Sequence, residues 1–310
     1  MFKKILFLNL VAIFCIITNL YSNSIFIKVK LNNEIITNID IKNEENYLLF
    51  LNENLKKLKP DNLNKIAKNS LVKEIIKKNE VKKYLDISKD YSILNEIENN
   101  LIKRKKILNQ NEFKLILEKQ NLKYEDIRNK LKIEALWNHL VFKKYNKNVK
   151  INKELLKKKI VQHYKKLDKN FEYNLSEIFF EVSAKEMLTN KYKAIVNSIN
   201  KNGFKNSANI YSISSTSKIG GEIGWVKGTQ LSGKIIKKIN NTNIGSIVGP
   251  IQIQNGYLIL KLNDKRELKK AIDIDQELKQ LVAFEENKQL EQFSLIYFKR
   301  LKQNTTINEY

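Results

Sequence analysis

Residues 219–266 read IGGEIGWVKGTQLSGKIIKKINNTNIGSIVGPIQIQNGYLILKLNDKR, and four of the chain's nine glycines crowd its start: Gly220, Gly221, Gly224 and Gly228. Glycine at that density marks backbone that turns with positive φ or passes close to another segment. Leu231, Ile235 and Ile239 then recur at helical spacing, which predicts a short amphipathic helix over 231–239. Gly249-Pro250 reads as a turn into a strand. Asn255-Gly256 between the apolar runs 251–254 and 257–262 predicts a β-hairpin. Just upstream, 171–182 reads as a strand, 184–199 as a helix stopped by Gly203, and 208–212 as the lead into the glycine-rich loop.

The order strand, helix, loop, helix, strand, strand predicts a compact unit over 169–266. With its glycines in these places, it resembles the parvulin (PpiC-type) peptidyl-prolyl isomerase domain. The residues that carry the resemblance are Gly220, Gly221, Gly224, Trp225, Gly245, Gly249, Pro250, Gly256, Tyr257, Lys261, Asp264, Lys265 and Arg266. It implies a catalytic network of a histidine on the first strand, a Cys or Asp after the second helix and a histidine on the last strand. Those positions fall here on Glu177, Ser214 and Leu258, so all three depart from the family pattern. The implied apolar peptide- or proline-binding positions are Ile223, Leu231 and Ile235, with Trp225 and Tyr257 beside them. For Ile235, simple core packing is an equal reading.

Chemistry elsewhere in the chain is sparse. The two histidines, His139 and His163, both fall in predicted helices before the parvulin-like unit and read as surface or packing residues. Cys15 is the one cysteine, and it sits inside the apolar core of an N-terminal segment. No metal site is expected from this set, no phosphate-binding loop is present, and no cofactor is expected. The run 212–217 has serines but no histidine to activate one.

The N-terminus has Lys3 and Lys4, then an apolar stretch over 5–17, then polar residues to Ser24. That is the pattern of a secretory signal, with an apolar core shorter than a membrane span. Cleavage is expected near 22–24, and an uncleaved anchor is the alternative. The expected location is the periplasm of a Gram-negative type cell.

After it, 25–31 and 34–36 read as a hairpin around Asn32-Asn33. Helices are then expected from Asn38 through 55, from Pro60, from Ser88 through 108, from Asn111 to about 120, over 124–145, and from Asn152 to 167. The helix 124–145 carries Ile127, Leu131, Leu136 and Leu140 as a stripe, with Trp137 beside it. Phe113, Leu117, Tyr124, Ile127, Arg128, Lys132, Leu136, Val149 and Ile151 together resemble the N-terminal helical module of SurA-type periplasmic chaperones. That resemblance implies that the helix and β-prone tail over 267–310 fold back on the module.

The net charge is +24, nearly all of it lysine, since arginine occurs only at 104, 128, 266 and 300. Arginine is the preferred reader of bases and phosphates, so no nucleic-acid role is expected. The whole is read as α+β: a signal peptide (1–24), a helical chaperone module (25–168) completed by 267–310, and a parvulin-like α/β domain (169–266). The expected function is ATP-independent binding of unfolded outer-membrane protein precursors or other exported polypeptides. Transient contact with the membrane or the barrel-assembly machinery is expected with it. The alternative is an active prolyl isomerase acting as a foldase on exported proteins.

Overall fold

A computed structural model describes residues 24–166, 171–183, 186–268 and 273–310. The expected signal segment lies outside them, Ser24 apart. The chain begins with β1 (Ile27–Leu31) and β2 (Glu34–Thr37), joined at Asn32-Asn33. Helices α1 (Asn38–Leu51), α2 (Pro60–Val81), α3 (Ile93–Arg104), α4 (Gln110–Lys119), α5 (Tyr124–Tyr145) and α6 (Lys153–Lys166) follow.

Local chemistry sets the helix ends. Thr37 caps α1 in a reciprocal box with Asp40, so the cap lies one residue before the expected Asn38. The helix also ends at Leu51, and a 3₁₀ turn (Glu53–Lys57) takes up the rest of the predicted span. Pro60 occupies the first turn of α2, where its missing N–H costs nothing. Two starts differ from expectation. Ser88 is spent in a turn with Asp86, at 2.6 Å, and α3 begins only after Ser92. Asn109, not Asn111, caps α4 by accepting from the Glu112 N–H at 3.0 Å.

The second unit is a four-stranded antiparallel sheet in the order β4-β3-β6-β5. Its elements are β3 (Phe171–Phe180), α7 (Leu188–Asn202), α8 (Phe204–Tyr211), β4 (Glu222–Lys227), α9 (Gly233–Asn240), β5 (Ile247–Ile253) and β6 (Gly256–Glu267). One face carries Tyr173, Leu175 and Phe179 of β3 with Leu258, Leu260 and Leu262 of β6, closed by Leu231 and Ile239. The other face packs Ile178, Phe180 and Ile259 on Ile195 of α7 and on Phe204 and Ala208 of α8.

Three readings of this unit are corrected. The glycine-rich block is not a loop throughout, because β4 runs through it. Residues 204–211 form helix α8, so Gly203 joins two helices. Gly249-Pro250 lies inside β5, at an irregularity between Val248 and Ile251, where a residue lacking an N–H is tolerated.

The last elements are α10 (Ile274–Gln303) and β7 (Ile307–Glu309). Strand β7 pairs with β1, giving a second sheet ordered β2-β1-β7. Helix α10 fastens to α5 and α2 through aromatic side chains. Tyr297 stacks on Trp137 at 5.3 Å, and its hydroxyl donates to the buried Glu80 carboxylate of α2. Phe293 stacks on Tyr145 at 5.1 Å, and the Trp137 indole donates to Ser294 Oγ at 2.8 Å.

Candidate functional site

The site is built around the middle of β3. The Ile213 N–H donates to the Phe179 carbonyl at 2.8 Å, and the Phe179 N–H to Ser212 Oγ at 3.1 Å. These bonds lay the segment after α8 beside β3 and bring Ser214 against Glu177. Ser214 Oγ donates to Glu177 Oε1 at 2.6 Å, and Thr216 Oγ1 donates to the same oxygen at 2.9 Å. Burial pushes the Glu177 carboxyl above its usual pKa. The two hydroxyls pull it partly back, and nearby Glu291 adds to the rise.

Gly221 makes this approach feasible. Its φ is +78°, and a Cβ there would lie 2.2 Å from the Glu177 carbonyl oxygen. Only glycine lets the two backbones come this close.

Leu258 sits level with Phe179 on β6 and is buried in the apolar cluster of that face. Leu231 belongs to the same cluster, and Ile235 packs against it half-buried. The remaining predicted cradle residues do not join them. Trp225 is level with Asn174 on the opposite face of the sheet, 39% exposed, with the Arg266 guanidinium 4.1 Å from its ring centre. Ile223, equally exposed, lies at the β4 irregularity. Tyr257 stacks on Phe180 at 5.8 Å, on the face covered by α7 and α8.

Helix α10 completes the site, and sequence reasoning missed its part. Glu291 accepts from Ser215 Oγ at 2.6 Å and from the Ser215 N–H at 3.3 Å. Leu295, one turn on, packs against the cluster that holds Leu231 and Leu258. Nothing local in the sequence links residues 76 positions apart. Between this corner and the helices lies a cavity of about 520 Å³. Leu51, Leu101, Leu131, Ile213 and Phe298 line its walls, and Ser214 and Ser215 lie at its edge.

The histidines are elsewhere. His139 is exposed on α5, and His163 of α6 lies against Gly228, its ring 2.8 Å from where a Cβ would stand. Burial first and Lys159 second hold His163 below its usual pKa. Among the described residues there is no cluster of three or more potential metal ligands, and no helix is long and apolar enough to cross a membrane. As chemistry, the Glu177–Ser214–Leu258 corner offers one half-buried carboxyl, two hydroxyls already donating to it, and an aliphatic wall.

Residues 175–264 match the rotamase family described as the PpiC-type PPIase domain. A crystal structure of a PpiC-type peptidyl-prolyl cis-trans isomerase domain is 32% identical, covering 31% of this chain and 93% of that one, with a TM-score of 0.29. Residues 175–264 are thus a parvulin, or PpiC-type, domain within a chain of mixed helical and sheet fold. Among curated proteins it is similar to Chaperone SurA of Pseudomonas putida, 25% identical over 50% of this chain and 38% of that protein. It is also similar to Foldase protein PrsA 2 of Bacillus cereus, 26% identical over 59% of this chain and 58% of that protein. The matched stretches thus span between about two fifths and three fifths of those relatives' lengths.

Proposed function

We propose that the protein is an ATP-independent periplasmic chaperone for unfolded exported polypeptides, outer-membrane protein precursors among them, and that its parvulin domain binds peptide without efficient isomerisation. The chaperone and foldase names of its relatives support the general class. The signal-like N-terminus supports export, and transient contact with the membrane or the barrel-assembly machinery belongs to the same reading.

The observation that carries the non-catalytic part is the state of the three family positions. Prolyl rotation has a barrier of about 18–20 kcal/mol, and lowering it needs polar groups free to respond to the twisted amide. Here the Ser214 hydroxyl is spent on Glu177, and Leu258 is an alkyl group inside the core. Glu291 of α10 holds the adjoining Ser215, and Leu295 occupies space beside Leu231. A cavity beside the corner, with apolar side chains on part of its wall, supplies accessible surface for an unfolded chain.

The second reading, an active foldase, is favoured by one observation: Glu177 is a carboxyl with a raised pKa next to two hydroxyls. Two assays on the full chain and on a Glu177→Ala/Ser214→Ala variant separate the readings. Uncatalysed isomerisation takes tens to hundreds of seconds, so modest catalysis shows in proline-limited refolding. The expected result is negligible isomerisation in both proteins with equal suppression of client aggregation. A robust rate in the parent that the variant loses would replace the proposal with the foldase.

A further inference from the structure

The cavity beside Ser214 has an uneven charge. Six cationic side chains line it, Lys73, Lys77, Arg104, Lys218, Lys299 and Lys302, against three carboxylates, Glu134, Glu181 and Glu291. The carboxylates are already committed. Glu134 holds Lys77 at 2.5 Å and Lys218 at 3.5 Å, Glu181 holds Lys299 at 2.9 Å, and Glu291 serves the Ser215 hydroxyl and N–H. The nearby carboxylates Glu44 and Glu74 are held by Lys130 at 2.8 and 2.5 Å.

Lys73 and Lys77 stand four residues apart on α2, one turn above the other, on the side facing Lys218. Burial first, then Lys77 and Lys218, bring Lys73 down to about 8. Lys77 is lowered as well, by burial first, with Lys218 adding to it and Glu134 opposing. Lys302 and Arg104 are exposed at the rim. The site therefore has an apolar wall, a lining with three more cations than carboxylates, and an opening large enough for a few residues of extended chain. Ligand pockets commonly enclose about 300–1,000 Å³.

We infer that this cavity takes a segment of unfolded polypeptide that presents a side-chain carboxylate next to an apolar side chain, the carboxylate meeting Lys73 and Lys302 and the apolar group meeting the Leu51–Leu101–Leu131–Phe298 wall. The inference rests on the reading of the protein as a binder of unfolded chains and adds a chemical preference to it. A carboxylate placed there supplies part of the missing counter-charge by charge-assisted hydrogen bonds, which are stronger than neutral ones. Apolar burial supplies the rest of the affinity without regard to sequence.

The test uses the full-length protein and short fluorescent peptides with alternating leucines, blocked at both ends, differing only in a central Glu or Gln. A third peptide keeps the Gln but has a free C-terminal carboxylate. The Glu peptide should bind about tenfold more tightly than its Gln twin, the scale of one charge-assisted hydrogen bond. That preference should vanish in Lys73→Gln/Lys302→Gln and survive in Lys237→Gln/Lys238→Gln, a control on exposed lysines of α9.

Carbodiimide coupling of the Glu peptide to the unmutated protein gives a readout that needs no variant to fold. Attachment at Lys73 or Lys302 supports the site, and attachment confined to lysines outside the cavity overturns it. Equal binding of the Glu and Gln peptides overturns the carboxylate preference and leaves chain binding standing. A preference lost equally in the control pair reduces it to surface charge. A gain seen only with the free C-terminus assigns the cavity to chain ends and overturns the side-chain form. If no peptide binds and aggregation is not suppressed, the chaperone reading falls and the inference falls with it.

Discussion

Glu134 is the carboxylate on which Lys77 and Lys218 converge, and replacing it tests how the helical part and the parvulin domain are held together electrostatically. Burial alone would raise its pKa. Lys77 and Lys218 overcome that and hold it down at about 2, against the ordinary 4.5. A depression of that size corresponds to about 3 kcal/mol of linkage at neutral pH. Its side chain keeps 36% of its surface open to the cavity, so water screens the pair and about 1–2 kcal/mol is the reasonable share.

A folded-state pKa below the unfolded one gives stability that is present above about 4.5 and lost as pH falls towards 2. Glu134→Gln should therefore lower unfolding free energy by about 1–2 kcal/mol at pH 7. The difference from the parent should shrink as both are taken from pH 5 to pH 3. Urea titrations followed by circular dichroism at each pH measure it. Equal stability at pH 7, or a gap that does not change between pH 6 and pH 3, refutes the reasoning.

Tyr297→Phe removes a buried hydroxyl that donates to Glu80. It should cost about 1–3 kcal/mol, read as a lower urea midpoint with unchanged secondary structure. Gly221→Ala places a methyl 2.2 Å from the Glu177 carbonyl at φ +78°. A side chain in that region costs of order 1–3 kcal/mol before the clash is counted, so thermal unfolding of the parvulin domain should drop clearly. Removing residues 172–266 and closing the gap with a short linker should leave a folded helical protein. A random-coil circular dichroism spectrum would show that residues 25–168 and 267–310 do not form an independent unit.

What the sequence reveals here depends on how local the signal is. Helix α5 was legible to its ends because its apolar spacing holds over about six turns. The hairpin was legible from Asn255-Gly256, although its two-residue turn falls one position earlier, on Gln254-Asn255, with Gly256 already opposite Ile253. Strand β4 was hidden because Gly224 interrupts the alternation that would have marked it. Helix α8 was hidden because Gly203 at positive φ resembles a terminator when it is in fact a hinge between helices.

The site divided along the same line. Glu177, Ser214 and Leu258 follow from position within a motif; strand register places Leu258 beside Phe179, whereas Ser214 reaches Glu177 only through the hydrogen bonds that lay the segment after α8 along β3. Tyr257 and Trp225 were assigned to the cradle although strand parity puts them on the opposite face. Glu291 and the cavity lysines are brought in by packing between distant elements, and no periodicity in the sequence records such a contact.

The pairing of β7 with β1 also fixes an order of events during synthesis. Strand β1 is among the first segments of the described chain to emerge and β7 among the last, so their ladder closes a loop of nearly the whole polypeptide. Such distant contacts form slowly because the closure entropy must be met first. The parvulin sheet, by contrast, is complete once β6 has emerged. Until the tail arrives, β1 presents an open edge next to the exposed Phe26 and Ile27, a template to which another extended chain can add. The three-residue strand β7 is therefore what covers that edge, and it does so only when the last of the described residues are in place.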